Sequence, residues 1–363
     1  MPPITIFTPS FADEDNTNAQ NLTVKELVSR LPADEFHVTM LHAGAPDPRI
    51  SSRKNTQLIR WRSHGNTLRL LTKILFSPPD IYFFPRYGPL DRAFLALKRY
   101  AGLRSALVTY IVMMMDPAPV NSLVRCLISE ADRVLANSPY VAETIDSVGS
   151  RADVIFDGVD QRFFYPRGSL TPKQSAIKVT VLYAGSFQPR KRVELVIQNA
   201  ARYPNVEFRL AGQGGTENAC HDLVTRKGCQ NVIFLGHLAS EKLGEEMRNA
   251  DLFFFPSILE GNPQVLLQAA ACGLPAIAMN DYRSPFIVNG STGFLTNSDH
   301  ELFASLDLLL TNPGLRQSMS GAAARHAQNF DWVRIANQWG NVFRQVVSGF
   351  QEHEAYEPSP ALR

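Results

Sequence analysis

Short apolar runs alternate with amphipathic segments along almost the whole chain, and this alternation constrains the fold more than any other feature. In the first half the order is ITIFT, NAQNLTVKELVSRL, FHVTML, DIYFFP, DRAFLALKRYAG, ALVTYIVMMM, NSLVRCLISEA, DRVLA, PYVAETIDSVG and DVIF. Strand-length apolar runs separated by helical patterns are the mark of an open parallel sheet with helices on both faces. The stretch PRGSLTPKQSA, residues 166–176, breaks the rhythm with prolines and serines and no apolar period, and reads as a linker. A second series follows: KVTVLYAG, VELVIQNAARY, VEFRLAG, NVIFLG, EKLGEEMRNA, DLFFFP and AIAM. A chain of 363 residues suits two such domains better than one. We therefore expect a first doubly wound α/β domain over 1–165, a linker over 166–177 and a second over 178–335. A final helix over 336–350 and a polar tail over 351–363 complete the division.

The apolar share of 45% supplies two cores. The net charge of +2 hides an asymmetry: between Arg49 and Arg104 there are twelve Lys or Arg against Asp80 and Asp91, so this stretch carries +10 and the remainder −8. Such a bias suits an anionic partner surface and equally a solvated basic flank. Within it, LIRWRSHGNTLRLLTKILF joins basic residues to apolar ones as an interfacial helix or a basic acceptor rim does. Residues 49–104 are accordingly the expected peripheral membrane contact. Nothing in the sequence calls for nucleic acid. MPPITIFTPS has neither a basic start nor a cleavage site, and Cys126, Cys220, Cys229 and Cys272 show neither disulfide-framework nor zinc spacing. A cytosolic setting is expected, with peripheral attachment at the inner face of the membrane.

Residues 256–278, PSILEGNPQVLLQAAACGLPAIA, place polar residues inside a run otherwise built for burial. DLFFFP before it and LPAIAM after it are strand-like, and the element between reads as a helix from Pro263 to Cys272. Asn262 is positioned to cap it, Pro263 suits its first turn, and Gly273 with Pro275 ends it. The turn holding Glu260 and Gly261 would then lie at the carboxyl edge of a parallel sheet, where ligands bind. Gln264 and Gln268, four apart, share one face, while Val265, Leu266, Ala269 and Cys272 form the expected buried stripe. A capped, solvated helix start explains the same residues.

Two further turns fall on the same expected edge. SFQPRKRVEL sets Arg190, Lys191 and Arg192 at a helix start, suited to a diphosphate or simply to water. AGQGG offers Gly212, Gly214 and Gly215 for close backbone approach, without the spacing of a dinucleotide fingerprint. Together a cationic cluster, a glycine turn and a Glu-Gly-Asn-Pro turn form an edge fit for a nucleoside diphosphate with a hydroxyl-rich group beyond it. Asp13, Glu14 and Asp15 read as a polar capping loop rather than a metal site, and no histidine spacing suggests a metal.

Residues 178–340 resemble the nucleotide-binding domain of the retaining family-4, or group 1, glycosyltransferases. The resemblance is carried by PSILEGNPQVLLQAAACGLP, AGQGG, FLGHL and the NFDWVRIANQW ending, and in the first half by ADRVLANSPYVAETI and VIFDGVDQRFFYP. It implies the GT-B fold, two Rossmann-like doubly wound parallel-sheet domains facing a central cleft, with the last helix crossing back to the first. In that family a glutamate, seven intervening residues and a second glutamate mark the donor site. Glu260 matches the first, and Gln268 stands in the second place. By the resemblance Lys191 and Glu260 are catalytic. Ser186, Arg190, Gly212, Gly214, Gly261, Asn262, Pro263, Gln264 and Gln268 belong to the donor side, and Asn18, Met115 and Asp116 to the acceptor side.

Three residues depart from the family pattern. Ser186 replaces an arginine, leaving Arg190 or Arg192 as candidate substitutes. Gln268 lacks a charge, and Met115 stands before Asp116 where a histidine is usual. The resemblance implies metal-independent transfer of a sugar from a nucleoside diphosphate, UDP first, to a hydroxyl of an acceptor that is lipid-linked or anionic. No cofactor beyond the nucleotide sugar is implied, and the setting is bacterial cell-surface polysaccharide, glycolipid or glycoconjugate synthesis. A nucleotide-sugar epimerase of similar shape and a nucleotide-sugar-binding pseudoenzyme are the rivals.

Overall fold

The computed structural model describes residues 2–15, 18–61, 65–113, 122–168 and 178–356. Two sheets organise them, in two units: Met1–Asp157 with Trp332–Arg363, and Gly158–Asp331. The first unit runs β1 (Ile4–Phe11), α1 (Ala19–Val28), β2 (Phe36–His42), α2 (Pro48–Ser51), β3 (Thr56–Arg60), α3 (Gly65–Phe76) and β4 (Ile81–Phe83). It continues with α4 (Pro89–Tyr100), β5 (Ala106–Ile111), α5 (Ser122–Ser129), β6 (Arg133–Ala136), α6 (Pro139–Asp146) and β7 (Asp153–Val154). Every described strand pairing in this sheet is parallel, in the order β3-β2-β1-β4-β5-β6-β7. Alternate residues leave a strand on opposite faces. Ile81 and Phe83 of β4 accordingly join Val24 and Leu27 of α1 on one side, while Tyr82 joins Leu70 and Ile74 of α3 and Phe94 of α4 on the other.

The second unit runs β8 (Thr180–Ala184), α7 (Val193–Arg202), β9 (Glu207–Ala211), α8 (Glu217–Lys227), β10 (Val232–Gly236) and α9 (Ser240–Asn249). Then come β11 (Leu252–Phe255), α10 (Gln264–Ala271), β12 (Ala276–Met279), β13 (Gly293–Thr296), α11 (Asp299–Thr311) and α12 (Pro313–Ala327). This sheet is parallel too, in the order β10-β9-β8-β11-β12-β13. Every residue of β8, β11 and β12 is buried, as covering by helices on both faces demands. The expected doubly wound, parallel α/β architecture is present in both units.

The chain leaves the first unit after Asp157 rather than at 165. Val159 accepts a place beside Asp331 as an isolated bridge, its N–H bonding Phe330 O at 2.9 Å, and the Arg248 guanidinium donates to Phe163 O at 2.7 Å. Residues 158–165 are thereby held to the second unit. Of the expected linker, residues 169–177 lie outside the described residues. The last helix, α13 (Trp332–Tyr356), begins four residues before the expected start and is part of the first unit's core. Its stripe Trp332, Ile335, Ala336, Trp339 and Phe343 packs on that unit's sheet, with Trp339 edge-on to Phe83 and Tyr110 at 5.0 Å. Trp339 is fully buried. Trp339→Ala is expected to cost about 3–5 kcal/mol of the first unit's stability through lost transfer energy and a cavity. Urea denaturation followed by circular dichroism measures it, and a cost under about 1 kcal/mol would show that α13 is only loosely attached.

Candidate functional site

The strand order of the second sheet reverses between β8 and β11, and the loops leaving their carboxyl ends diverge there. In open α/β sheets this reversal opens a crevice in which ligands bind. The loop after β8 carries Ser186 and the short 3-10 turn Pro189–Lys191, and the loop after β11 carries Ser257 and Glu260. The two are joined by main chain, since Ile258 N–H bonds Arg190 O at 3.0 Å. The joint needs unusual backbone on each side: Arg192 ends the turn at φ 53° and Leu259 sits at φ 57°. Both lie in the left-handed region that non-glycine residues seldom enter, and such strain persists where surrounding contacts impose it.

Glu260 is the centre of the joint. Its Oε1 accepts from Lys191 Nζ, from Ser257 Oγ and, at 2.7 Å, from the Arg190 guanidinium. All three bonds fall on Oε1, so Oε2 is left for another donor. Lys191 and Glu260 are each 8% exposed. Burial pushes the Lys191 ammonium below the usual lysine range, with Glu260 working against that shift, and Nζ lies 5.1 Å from the Phe255 ring centre. The basic cluster is therefore divided in use. Arg190 is on Glu260 and does not line the cavity beside it, and Arg192 is on Asp299. Among the described residues lining that cavity, Lys191 supplies the cation.

The cavity, about 480 Å³ in volume, opens over the carboxyl ends of β8, β9 and β10. Ser186, Lys191, Gly212, Glu260, Pro263, Gln264 and Gln268 of the expected site all lie in its wall, while Arg190, Gly214, Gly261 and Asn262 do not. Gln264 and Gln268 share a face of α10, as their spacing requires. Val265 lies beside them in the wall and is half-buried, not part of the buried stripe expected for it, because the core-facing side of α10 centres on Leu266, Leu267 and Ala270. Asn262 does not cap the helix. Pro263, at ψ 109°, keeps the extended conformation of a cap residue, so the helix begins at Gln264 and the cap has no side-chain bond. Gly273 ends it at φ 69°, as expected.

Two glycines of the AGQGG turn, Gly212 and Gly214, serve the approach of a neighbouring backbone, whereas Gly215, expected to do the same, faces open space. A Cβ on Gly212 would meet Gly185 O at 1.9 Å, and one on Gly214 would meet Phe187 O at 2.3 Å. Gly185 N–H bonds Ala211 O and Phe187 N–H bonds Gln213 O, so the turns after β8 and β9 are laced together. Sequence reasoning missed Gln213, His237, Leu238 and Leu243 in the cavity wall. For His237 a signal existed: FLGHL ends a strand at Gly236, whose φ of 66° turns the chain sharply at the carboxyl edge.

In the first unit Asn18 caps α1, accepting from Asn21 N–H at 2.9 Å. Met115 and Asp116 lie outside the described residues. Asp13 takes N–H bonds from Ala43, at 2.9 Å, and from Gly44. The strand order reverses here as well, between β1 and β4, and beyond β4 Phe84 and Tyr87 hold φ of 54° and 61°. Gln20 Nε2 donates to Phe84 O at 2.8 Å and helps to pin this strained turn.

Comparison with known proteins points to one class. Residues 171–326 match the family model of the group 1 glycosyl transferases, and the two-sheet α/β architecture is that of GT-B glycosyltransferases. Among curated relatives, the D-inositol 3-phosphate glycosyltransferase of Rhodococcus erythropolis is 30% identical over 249 residues, covering 62% of this chain and 56% of the relative. That of Mycobacterium tuberculosis is 33% identical over 245 residues, covering 62% and 51%. The chain thus spans about half the length of these relatives. Among solved structures, a sucrose-phosphate synthase from Thermosynechococcus elongatus superposes with TM-score 0.77 at 19% identity, over 96% of this chain and 100% of that one. Anabaena Alr3699/HepE in complex with UDP-glucose gives 0.75 at 18%, over 94% and 100%.

The buried pair makes a stability prediction. Lys191→Met leaves Glu260 with Arg190 and Ser257 and is expected to cost about 2 kcal/mol, since the carboxylate loses one of its two charge-assisted bonds. Adding Glu260→Gln should cost less than the sum of the two single changes by about 1 kcal/mol or more. Urea titration of the four proteins measures the coupling, and strictly additive costs would mean that the pair is not energetically joined.

Proposed function

We propose that the protein is a retaining glycosyltransferase that moves a sugar from a nucleoside diphosphate, UDP first, to a hydroxyl of an acceptor. The observation that carries this reading is the convergence of Lys191 and Glu260, from two loops flanking the strand-order reversal, on the wall of a cavity of about 480 Å³. The group 1 match over this unit and the UDP-glucose complex of a fold neighbour support it, and neither favours an epimerase.

The chemistry follows from charge. When the bond between the anomeric carbon and the diphosphate breaks, negative charge grows on the departing oxygen. Lys191 and the positive end of α10 are placed to stabilise that charge without reorganising. Glu260, anchored through Oε1, keeps Oε2 for a sugar hydroxyl. Gln264 and Gln268 offer carboxamides to the ribose hydroxyls. The acceptor hydroxyl attacks the same face of the sugar that the diphosphate leaves, and passes its proton to the departing phosphate oxygen. No protein nucleophile and no metal is required in this scheme. We further place the protein in the cytosol, where its four free cysteines stay reduced, and assign it to cell-surface polysaccharide, glycolipid or glycoconjugate synthesis.

A thermal-shift panel of UDP, GDP and ADP tests the donor assignment, because a ligand bound only to the folded state raises Tm with its occupancy. UDP should give the largest shift, and release of free UDP from UDP-sugars should follow. No shift with any of the three would remove the reading. Gln268→Leu should weaken UDP binding about fivefold or more by stranding the ribose hydroxyls. Calorimetry showing unchanged affinity, with circular dichroism unchanged, would take the ribose off this helix face.

Lys191 also sets a pH dependence. Burial lowers its affinity for a proton, so the charge that holds the diphosphate is present at low pH and is lost as pH rises. The free enzyme's kcat/KM for the donor should fall with a midpoint below 10.5, the ordinary lysine value. Lys191→Arg should move that fall to higher pH. A pH profile flat through the alkaline range for wild type would contradict the role.

A further inference from the structure

The exposed side of α3 does not resemble an ordinary protein surface. Leu70 and Ile74 are buried against the sheet, but Leu68 is 71% exposed, Leu75 38% and Phe76 83%. At the spacing of a helix, Leu70, Ile74, Thr67, Leu71, Leu75 and Leu68 fill one continuous sector of roughly 160°, wider than the part this unit buries. Arg69, Thr72, Lys73 and Phe76 occupy the rest. The helix, GNTLRLLTKILF, contains neither Asp nor Glu. Lys73 Nζ donates to the neutral Gln57 Oε1 at 2.5 Å, which leaves its charge uncompensated. On α4, which packs beside α3, Arg92 and Tyr100 are exposed, Tyr100 by 81%.

These cations stand out because much of the basic surplus of residues 49–104 is spent internally. Arg49 bonds Asp47 and Glu26, and Arg53 bonds the carbonyls of Leu31 and Phe36. Arg86 lies over Phe11, Lys98 is on Asp132 at 2.8 Å, and Arg99 is on Glu130. Arg69, Lys73 and Arg92 remain on the outer faces of α3 and α4, beside exposed leucines, a phenylalanine and a tyrosine. No helix among the described residues is long and apolar enough to cross a membrane. A face of this make-up lies in an interface: apolar side chains enter the acyl boundary, and cations meet lipid phosphates.

We propose that the outer face of α3 and α4 docks the protein on an anionic phospholipid surface. Charge complementarity selects this occupant. A second copy would bring Arg69, Lys73 and Arg92 against their own kind, whereas lipid phosphates neutralise them and an aromatic residue is at home at headgroup depth. The proposal rests on the first unit alone and does not depend on the donor reading of the second.

Co-sedimentation of the full chain with two vesicle preparations tests it, one of phosphatidylcholine and one of phosphatidylcholine and phosphatidylglycerol in equal parts. Binding should be at least about tenfold stronger to the anionic vesicles at low salt and should fall as salt screens the charges. Arg69→Glu with Lys73→Glu, and separately Phe76→Ser, should each weaken it about tenfold with the melting temperature unchanged, since these side chains are exposed. Equal partition of wild type onto the two vesicle types overturns the proposal. So does binding that neither variant weakens. A dimer seen by analytical ultracentrifugation, dispersed by Phe76→Ser in a protein that ignores both vesicle types, would instead assign the face to self-association.

Discussion

The buried bond between the Lys191 ammonium and the Glu260 carboxylate is the interaction on which the site depends. It lies where the second sheet reverses its strand order, and it ties the loop leaving β8 to the loop leaving β11. As a stabilising device an ion pair in such a place is a poor choice, because desolvation of two charges offsets most of their attraction. A pair of apolar residues would hold the loops as well. What the ion pair adds is a cation and a carboxylate held at fixed positions on a cavity wall, which is the form that electrostatic assistance to a leaving group takes.

That fixity is built by the surrounding loops. The turn after β9 is pressed against the turn after β8 closely enough that only glycine fits at 212 and 214. The β11 loop is bonded to Arg190 O through Ile258 N–H, and Ser257 Oγ gives its proton to Glu260 within the same loop. Three loops therefore behave as one packed layer at the carboxyl edge, and Lys191, with its stem buried beneath that layer, has little freedom to move. Side chains locked in this way lose little entropy when a ligand arrives, which favours affinity.

Much of this was legible in the sequence, and the parts that were not have physical reasons. Long alternating elements announced themselves because burial on both faces leaves strands such as β8, β11 and β12 wholly apolar. The strands β3 and β13 were missed, and each sits at a sheet edge where TQLIR and GFLT are only partly buried. The helix α8 was missed because Cys220 is its one fully buried side chain, too little to set a period. At the site, the shared face of Gln264 and Gln268 was read from their four-residue spacing, although the helix starts at Gln264 and Val265 falls outside the buried stripe. The use of each cation was not. Sequence put Arg190, Lys191 and Arg192 side by side, but Arg190 and Lys191 converge on Glu260 while Arg192, in the left-handed region, turns to Asp299, and no local pattern announces that conformation. Gly212 and Gly214 are sites of close backbone approach as read, with the approaching chain being the protein's own, whereas a Cβ on Gly215 would meet nothing within 4 Å.

Two of the three departures from the pattern of the group 1 glycosyltransferases that the chain resembles gain meaning together. Ser186 stands in place of an arginine and Gln268 in place of a glutamate, and both lie in the wall of the same cavity. Losing a cation alone would weaken the hold on a dianionic diphosphate, and losing a carboxylate alone would leave excess positive charge near the ribose. Losing both keeps the net charge of the wall as the family pattern has it, with two fewer ions to desolvate. On the proposed reading this places the electrostatic work on Lys191 and leaves the ribose to neutral hydrogen bonds, each contributing about 1 kcal/mol. Affinity for the nucleotide then rests more on shape and carboxamide geometry than on charge, and its dependence on salt is correspondingly shallow. The same economy is absent from the outer face of α3, where no carboxylate among the described residues is paired with Arg69 or Lys73. Arg49, Lys98 and Arg192, by contrast, are each paired with a carboxylate of the protein itself.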